Sequence, residues 1–272
     1  MFITESFIML NFPKTGSSFA RAMLEKIYKK RYAELSLKEK ILIKTKRRKP
    51  LYRELLLPNI RVERVNQLNQ HGIYIQIPKE ELGKEIMSIA RNPYDRFLST
   101  YEFRSWAKVP KISDEIIKEH FPTFPEISLE EYTELQKLTM IHGRLKGKKP
   151  SARIGDQSVF FIQMFFKNPN KVLENITDEY IDSDEIFEDM ADVTFIQQEN
   201  LRQGLIDFLL KHNFKKSELE IINKSEKVNT TKKIFEDRSQ LWTQNVIDYI
   251  KHDERLIFRI LEKNGINYSH KN

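Results

Sequence analysis

The segment from Phe7 to Tyr28 reads FIMLNFPKTGSSFARAMLEKIY. Phe7-Ile8-Met9-Leu10 is a short, continuous apolar run that stops at a turn, the pattern of a strand buried on both faces. From Ser18 the period changes. Phe19, Met23 and Ile27, with Leu24 and Tyr28, fall at helical spacing. Between the two lies the tight turn Pro13-Lys14-Thr15-Gly16-Ser17-Ser18. A strand-turn-helix unit aims the free N–H groups of the helix's first turn at whatever sits over it. Gly16 allows close approach or a positive φ. Ser17 and Ser18 add hydroxyls and can cap the helix. Lys14 adds a mobile positive charge. Together they suit a phosphate or sulfate group, although the triphosphate spelling G-x-x-x-x-G-K-[ST] is absent. Taken alone, the turn also reads as an ordinary strand-to-helix connection with a serine cap.

Working outward, the 272 residues fit one large domain or two small ones and suffice for a proper core. With 40% apolar and 31% charged residues the composition is that of a soluble globular protein. The longest apolar runs fall far short of the roughly 20 residues that span a bilayer. The start has no basic region followed by a long apolar core, so no signal peptide is expected. There is no cysteine, which removes disulfides, thiolate catalysis and cysteine-based zinc sites. That fits a reducing compartment, and the expected location is cytoplasmic. The net charge of +7 reads either as a lysine-rich surface or as the mark of an anionic ligand, such as a nucleotide, a sulfated sugar or a nucleic acid.

No repeat or low-complexity segment is present. Residues 29–59 are mostly basic, with Lys44-Thr45-Lys46-Arg47-Arg48-Lys49 before Pro50, and read as a solvated surface loop. Val62 to Leu68 is a weakly marked strand, Ile86 to Ala90 a better one, and Asp192 to Ile196 a further one. Leu201 to Leu210 is helical in pattern. Gln240 to Lys263 reads as a long helical tail carrying Trp242, Val246, Tyr249, Ile250, Leu256 and Ile260. Residues 110–150 read as inserted helices and loops. Strands alternating with helices predict an α/β fold with a parallel sheet.

A second turn follows the strand Ile86-Met87-Ser88-Ile89-Ala90. Arg91 ends that strand, Asn92 is a good N-cap, Pro93 fits the first helical position, and Asp95 favours the helix dipole. Arg91 then emerges at the carboxyl edge of the sheet, where open α/β sheets bind ligands. Ser99 lies a little over two turns into the helix. Arg91 and Ser99 reach one anion if that helix packs back over the sheet edge. By themselves they read as a salt-bridge partner and a helix-surface residue.

The two elements together, P-K-T-G-S-S-F and then R-N-P-Y-D-R-F-L-S-x-Y, resemble the PAPS-dependent sulfotransferase family, PAPS being 3′-phosphoadenosine 5′-phosphosulfate. The resemblance is dense over 6–28 and 86–101. It is looser over Phe195-Ile196-Gln197-Gln198-Glu199-Asn200-Leu201, and faint at Val228-Asn229-Thr230 and around Asp253 and Leu256. It implies a single sulfotransferase-like domain over 1–272, a P-loop-like three-layer fold with a central parallel sheet flanked by helices. Variable insertions at about 29–60 and 102–150 then build the acceptor site. Lys14, Thr15, Gly16, Ser17 and Ser18 are implied to hold the 5′-phosphosulfate, Arg91 and Ser99 the 3′-phosphate, and Asn229 to help enclose the cofactor. Serines stand where many relatives have threonine. The glycine-rich C-terminal phosphate loop of the hormone-type enzymes is missing, so the chain is similar to the carbohydrate-type and bacterial branch.

The implied reaction moves a sulfuryl group from PAPS to a hydroxyl, on a carbohydrate or glycoconjugate. Lys14 is the candidate for stabilising charge on the leaving oxygen. His71, twenty residues before Arg91, is the candidate base, since an imidazole titrates near working pH. His142 is a rival and Glu63 a poorer third. No H-E-x-x-H or similar spacing occurs, so no metal is expected. Arg96 is expected in a structural ion pair. Tyr101 and Phe103 read as core aromatics or adenine stackers. Gln157 falls where relatives often carry Gln. Arg144, Lys146, Lys148, Lys149 and Arg153 read as a solvated loop or a patch for an acidic glycan. Two other classes stay open: a P-loop small-molecule kinase, which would need its lysine beside a Ser or Thr, and a basic nucleic-acid-binding protein, for which no recognition motif is present. A sulfotransferase-like protein that binds without catalysing is the remaining variant.

Overall fold

The structure, a computed structural model, describes residues 1–58, 68–145, 151–226 and 239–270. In chain order the elements begin with β1 (Phe2–Thr4), β2 (Phe7–Met9), α1 (Ser17–Glu34), α2 (Leu37–Lys44), β3 (Tyr52–Glu54), β4 (Leu57–Pro58), β5 (Leu68–Asn69) and β6 (Glu85–Ala90). The middle of the chain holds α3 (Pro93–Phe103), α4 (Ser105–Lys108), α5 (Asp114–His120), α6 (Leu129–Thr139), α7 (Asp156–Phe165), α8 (Pro169–Asn175), α9 (Asp178–Asp182) and α10 (Glu185–Asp189). Then follow β7 (Val193–Gln197), α11 (Leu201–Lys211), α12 (Lys216–Lys224), α13 (Gln244–Asp253) and α14 (Arg255–Lys263). These fall into two compact units, one of Met1–Arg91 with Asp192–Thr230, the other of Asn92–Ala191 with Thr231–Asn272.

The first unit is an α/β layer built on a five-stranded sheet of order β3-β1-β2-β6-β7. The central strands run parallel, with Ile8 opposite Ile86 and Met87 opposite Thr194. Alternate residues supply two buried faces. Phe2, Phe7, Met9, Met87 and Ile89 join Phe19, Met23, Leu24 and Ile27 of α1, Leu205, Phe208 and Leu209 of α11 and Leu219 and Ile222 of α12 in one cluster. Phe7 meets Phe208 edge-on at 5.1 Å. On the opposite face Ile8, Leu10, Ile86 and Ser88 are also buried. Burial on both faces is why these strands read as continuous apolar runs rather than alternating ones.

The sheet is not parallel throughout. β1 pairs antiparallel with both β2 and β3. Only Glu5 and Ser6 separate β1 from β2, and so short a link can join only antiparallel strands. The Thr4 hydroxyl closes this turn by accepting from the Ser6 and Phe7 N–H groups and donating to the Phe7 carbonyl. The basic segment 29–59 is likewise not a loop, since it contains the end of α1, then α2 and β3. The expected strand at Val62 to Leu68 lies mostly outside the described residues, as does Glu63.

The second unit is helical. Asn92 caps α3 by accepting from the Tyr94 N–H, with Pro93 at the first helical position. Tyr94, Phe97, Tyr101, Trp106, Tyr132 and Tyr249 are among the aromatics of its core. The expected helical tail is present as two helices, α13 and α14, that part at Asp253 and Glu254. Their groups are taken by the start of α7. The Gly155 N–H donates to the Asp253 carbonyl, while Gln157 N, Ser158 N and the Ser158 hydroxyl donate to the Glu254 carboxyl at 3.1, 2.6 and 2.7 Å. Any Cβ on Gly155 would clash with that carboxyl.

Glu254 is only 1% exposed. Burial pushes its carboxyl up from 4.5 to about 8, against the pull of its Ser158 and Gln157 donors. Between those values the native state holds a proton that the unfolded chain has released, so stability falls as pH rises through the window. Comparing urea unfolding of the wild type with Glu254→Gln from pH 5 to pH 8 should therefore isolate a slope approaching about 1.4 kcal/mol per pH unit. The slope should be present in the wild type and absent from the variant.

Candidate functional site

Because β2, β6 and β7 are parallel, the turns that leave them gather at one edge of the sheet. The Leu10 N–H donates to the Met87 carbonyl and carries the pairing past the end of β2. Beyond it the chain turns sharply. Lys14 has φ 66° and Gly16 φ 87°, both left-handed. For Lys14 that geometry costs about 1–2 kcal/mol and is held by the surrounding bonds. The Thr15 and Ser17 hydroxyls, both buried, donate to the Phe12 carbonyl at 2.8 and 3.0 Å. Both hydroxyls brace the turn from inside.

The expected serine cap is not made. Gly16 is the N-cap of α1 and no side chain caps the helix. The Phe19 N–H is satisfied by the Gly16 carbonyl. The Ser17 and Ser18 N–H groups stand at the head of α1, where no earlier turn of the helix supplies them with an acceptor. An eighteen-residue helix thus begins with open donors and the positive end of its dipole. No acidic residue lies in that first turn. Ser18 and the Lys14 side chain are partly exposed.

Arg91 leaves β6 on the neighbouring strand. Its Nη1 donates to the Lys14 carbonyl at 3.0 Å, which ties the second turn to the first. The turn after β7 arrives on the other side, where a Cβ on Gly16 would meet Gln198 and Leu201 at 3.2 Å.

His71 reaches the same place from a distant part of the chain. Its Nδ1 lies 2.7 Å from the Asn11 carbonyl. A carbonyl can only accept, so Nδ1 carries the proton and, in the neutral ring, Nε2 carries the lone pair. Asn11 adds a second bond, its Nδ2 donating to the Gln70 carbonyl at 3.0 Å. The Asn69 side chain accepts from the His71 N–H at 2.8 Å. Asn11 is 1% exposed, yet among the described residues its Oδ1 is buried without a hydrogen-bond partner. An unsatisfied buried acceptor costs about 1–3 kcal/mol. A residue kept at that cost is explained by positioning rather than by stability.

The structure therefore brings together Lys14, Thr15, Gly16, Ser17, Ser18, Arg91 and His71 in the first unit. Ser99 belongs to the second unit, on α3 and 7% exposed, and His142 lies exposed in a π-helical turn there. Asn229, Lys146, Lys148 and Lys149 fall outside the described residues. Arg96 is buried and donates to the Gln157 amide at 2.9 Å, and Gln157 in turn donates to the Pro93 carbonyl. Both anchor α3. Tyr101 donates to the Ile127 carbonyl and stacks on Trp106 in the core, whereas Phe103 is exposed. Arg153 pairs with Asp253. Asn11 is the site residue to which sequence reasoning gives no role, although it stands within the quoted stretch just before the first turn. Gln198 enters there only as part of the looser resemblance after β7.

No protein-family model matches the chain, and no curated protein matches it. Among solved structures, the crystal structure of mouse sulfotransferase SULT7A1 complexed with PAP aligns with 96% of this chain and 84% of its own. The identity is 14% and the TM-score 0.32. At those values the reading of the site rests on this chain's own residues.

Two outcomes check this geometry. Gly16→Ala should lower unfolding free energy by about 1–2 kcal/mol, because alanine resists a left-handed backbone. The ring ¹⁵N shifts of His71 should report the Nδ1–H tautomer at neutral pH, and a dominant Nε2–H form would contradict the placement of the ring against Asn11.

Proposed function

We propose that the protein is a PAPS-dependent sulfotransferase acting on a hydroxyl of a carbohydrate or glycoconjugate. The observation that carries this reading is the junction of two cationic turns on adjacent parallel strands, Lys14 to Ser18 and Arg91, with His71 held beside them. The fit to a phosphosulfate is supported by the open Ser17 and Ser18 N–H groups, by the left-handed Lys14 and Gly16, and by the two cations. In this reading the Ser17 and Ser18 N–H groups and the Ser18 hydroxyl hold the 5′-phosphate and Arg91 holds the 3′-phosphate. The sequence resemblance adds Ser99 to the 3′-phosphate and Asn229 to the enclosure of the cofactor. The carbohydrate-type acceptor follows from the branch that the sequence resembles.

PAPS, when bound, supplies the sulfuryl group and keeps the electrons of the broken S–O bond on its bisphosphate. His71 accepts the acceptor hydroxyl proton at Nε2, while the Asn11 carbonyl bonded to Nδ1 steadies the imidazolium that results. Lys14 places its ammonium against the charge that develops on the leaving oxygen, and the N-terminus of α1 adds its dipole. Holding both partners in place supplies the orientation that in-line transfer needs. None of these roles calls for a metal ligand.

The test is incubation with sulfur-labelled PAPS and a panel of glycans and alcohols, read by mass spectrometry. His71→Ala should cut turnover by about 10²–10⁴-fold, the usual worth of a general base, while leaving affinity for adenosine 3′,5′-bisphosphate nearly intact. Arg91→Ala should instead weaken bisphosphate affinity by about tenfold or more, the worth of a charge-assisted phosphate contact. In thermal-shift screening, stabilisation by ATP·Mg²⁺ with none from the bisphosphate would overturn the proposal in favour of a kinase.

A further inference from the structure

The positive charge of this protein is concentrated in one place. Residues 25–49 hold eleven Lys and Arg against three Glu, an excess of eight, while the whole chain carries +7. The rest of the molecule is therefore close to neutral. At the centre of this segment stands α2, an eight-residue helix with no buried side chain. Its two exposed aliphatic residues, Leu37 at 74% and Ile41 at 51%, are four apart and so share one face. Tyr32, at the end of α1, is 43% exposed, and Lys40 lies over its ring at 5.9 Å.

So short a helix, with nothing buried, is not held by packing. It is held by its ends. Ser36 and Glu39 form a capping box. At the other end Lys46 takes a left-handed φ of 59°, and the Arg47 and Arg48 N–H groups return to the Leu42 carbonyl. This closure winds the basic run back onto the helix and keeps its cations beside the negative end of the dipole. Some cations are already paired: Lys29 with Glu25, Arg31 with Glu218, Arg48 with Glu39 and Lys49 with Glu81. Among the described residues no carboxylate pairs with Lys38, Lys44, Lys46 or Arg47, and all four are exposed.

We propose that α2 and the basic turn after it form a docking surface for an anionic lipid bilayer, with Leu37 and Ile41 entering the headgroup boundary and the surrounding cations meeting lipid phosphates. Charge alone would suit any polyanion. The aliphatic pair set among cations favours a bilayer, which rewards both at once. Among the described residues no helix is long and apolar enough to cross a membrane, so the contact is with the surface. This inference is independent of the proposed chemistry.

The test is flotation of the full chain with vesicles of phosphatidylcholine alone and with phosphatidylserine added, at low and high salt. The wild type should float only with the serine lipid, and less so at high salt. Lys44→Gln, Lys46→Gln and Arg47→Gln together should weaken partitioning by about 100-fold, about fivefold per charge. Leu37→Ser with Ile41→Ser should weaken it by about tenfold and leave the melting temperature unchanged. Leu37→Trp should show a blue-shifted emission on the anionic vesicles. Failure of the wild type to float, or a serine double variant that floats as well as the wild type, would overturn the proposal, the latter pointing to a soluble polyanion such as a nucleic acid.

Discussion

The parallel pairing of β2 with β6 is the constraint on which the rest depends. With Met9 opposite Met87 and the Leu10 N–H on the Met87 carbonyl, both strands end at the same edge, one strand spacing apart. The turns that follow them must then be neighbours, although Lys14 and Arg91 are 77 positions apart in sequence. Burial on both faces holds this register, because a slip by one residue would exchange the two sets of buried side chains. The Arg91 guanidinium then spans the gap to the Lys14 carbonyl. A left-handed lysine is a strained local choice, and it persists because bonds to Phe12, Lys14 and Asn11 surround the turn.

The same edge gathers groups whose local energetics are unfavourable taken singly. Among the described residues the Asn11 Oδ1 is buried without a partner and Lys14 is left-handed, and the first N–H groups of α1 have no earlier helical turn to bond. All lie within eight residues of chain. Strain and unsatisfied groups concentrated in this way are the physical motive for the ligand site proposed above. The contrast with the second unit is instructive. There the start of α7 also presents open N–H groups, but the Glu254 carboxyl fills it from within, and the site is closed.

Much of this was legible in the sequence wherever a local rule operates. The apolar runs at Phe7 and Ile86 gave β2 and β6, Asn92-Pro93 marked the start of α3, and the lysine-glycine-serine turn marked the head of α1. The failures have identifiable causes. β1 is three residues long and cut from β2 by Glu5 and Ser6, so no period is visible in it. The break between α13 and α14 is invisible because the apolar spacing runs straight through it, and its cause is a distant partner, the head of α7. That the Thr15 and Ser17 hydroxyls share the Phe12 carbonyl as acceptor is a detail of the folded turn that residue types alone do not show. Asn11 went unnoticed because its partners, Gln70 and His71, lie 59 and 60 positions away. Local chemistry can propose a turn, but only tertiary register assembles a site.

The central claim is that the head of α1 and Arg91 bind one doubly phosphorylated adenosine. Amide and guanidinium NMR shifts during titration with adenosine 3′,5′-bisphosphate test it most directly. The account predicts saturable shifts at Gly16, Ser17, Ser18 and the Arg91 side chain, all following one binding curve. Shifts confined to the basic segment 44–49, or none at the head of α1 while the nucleotide binds elsewhere, would contradict it.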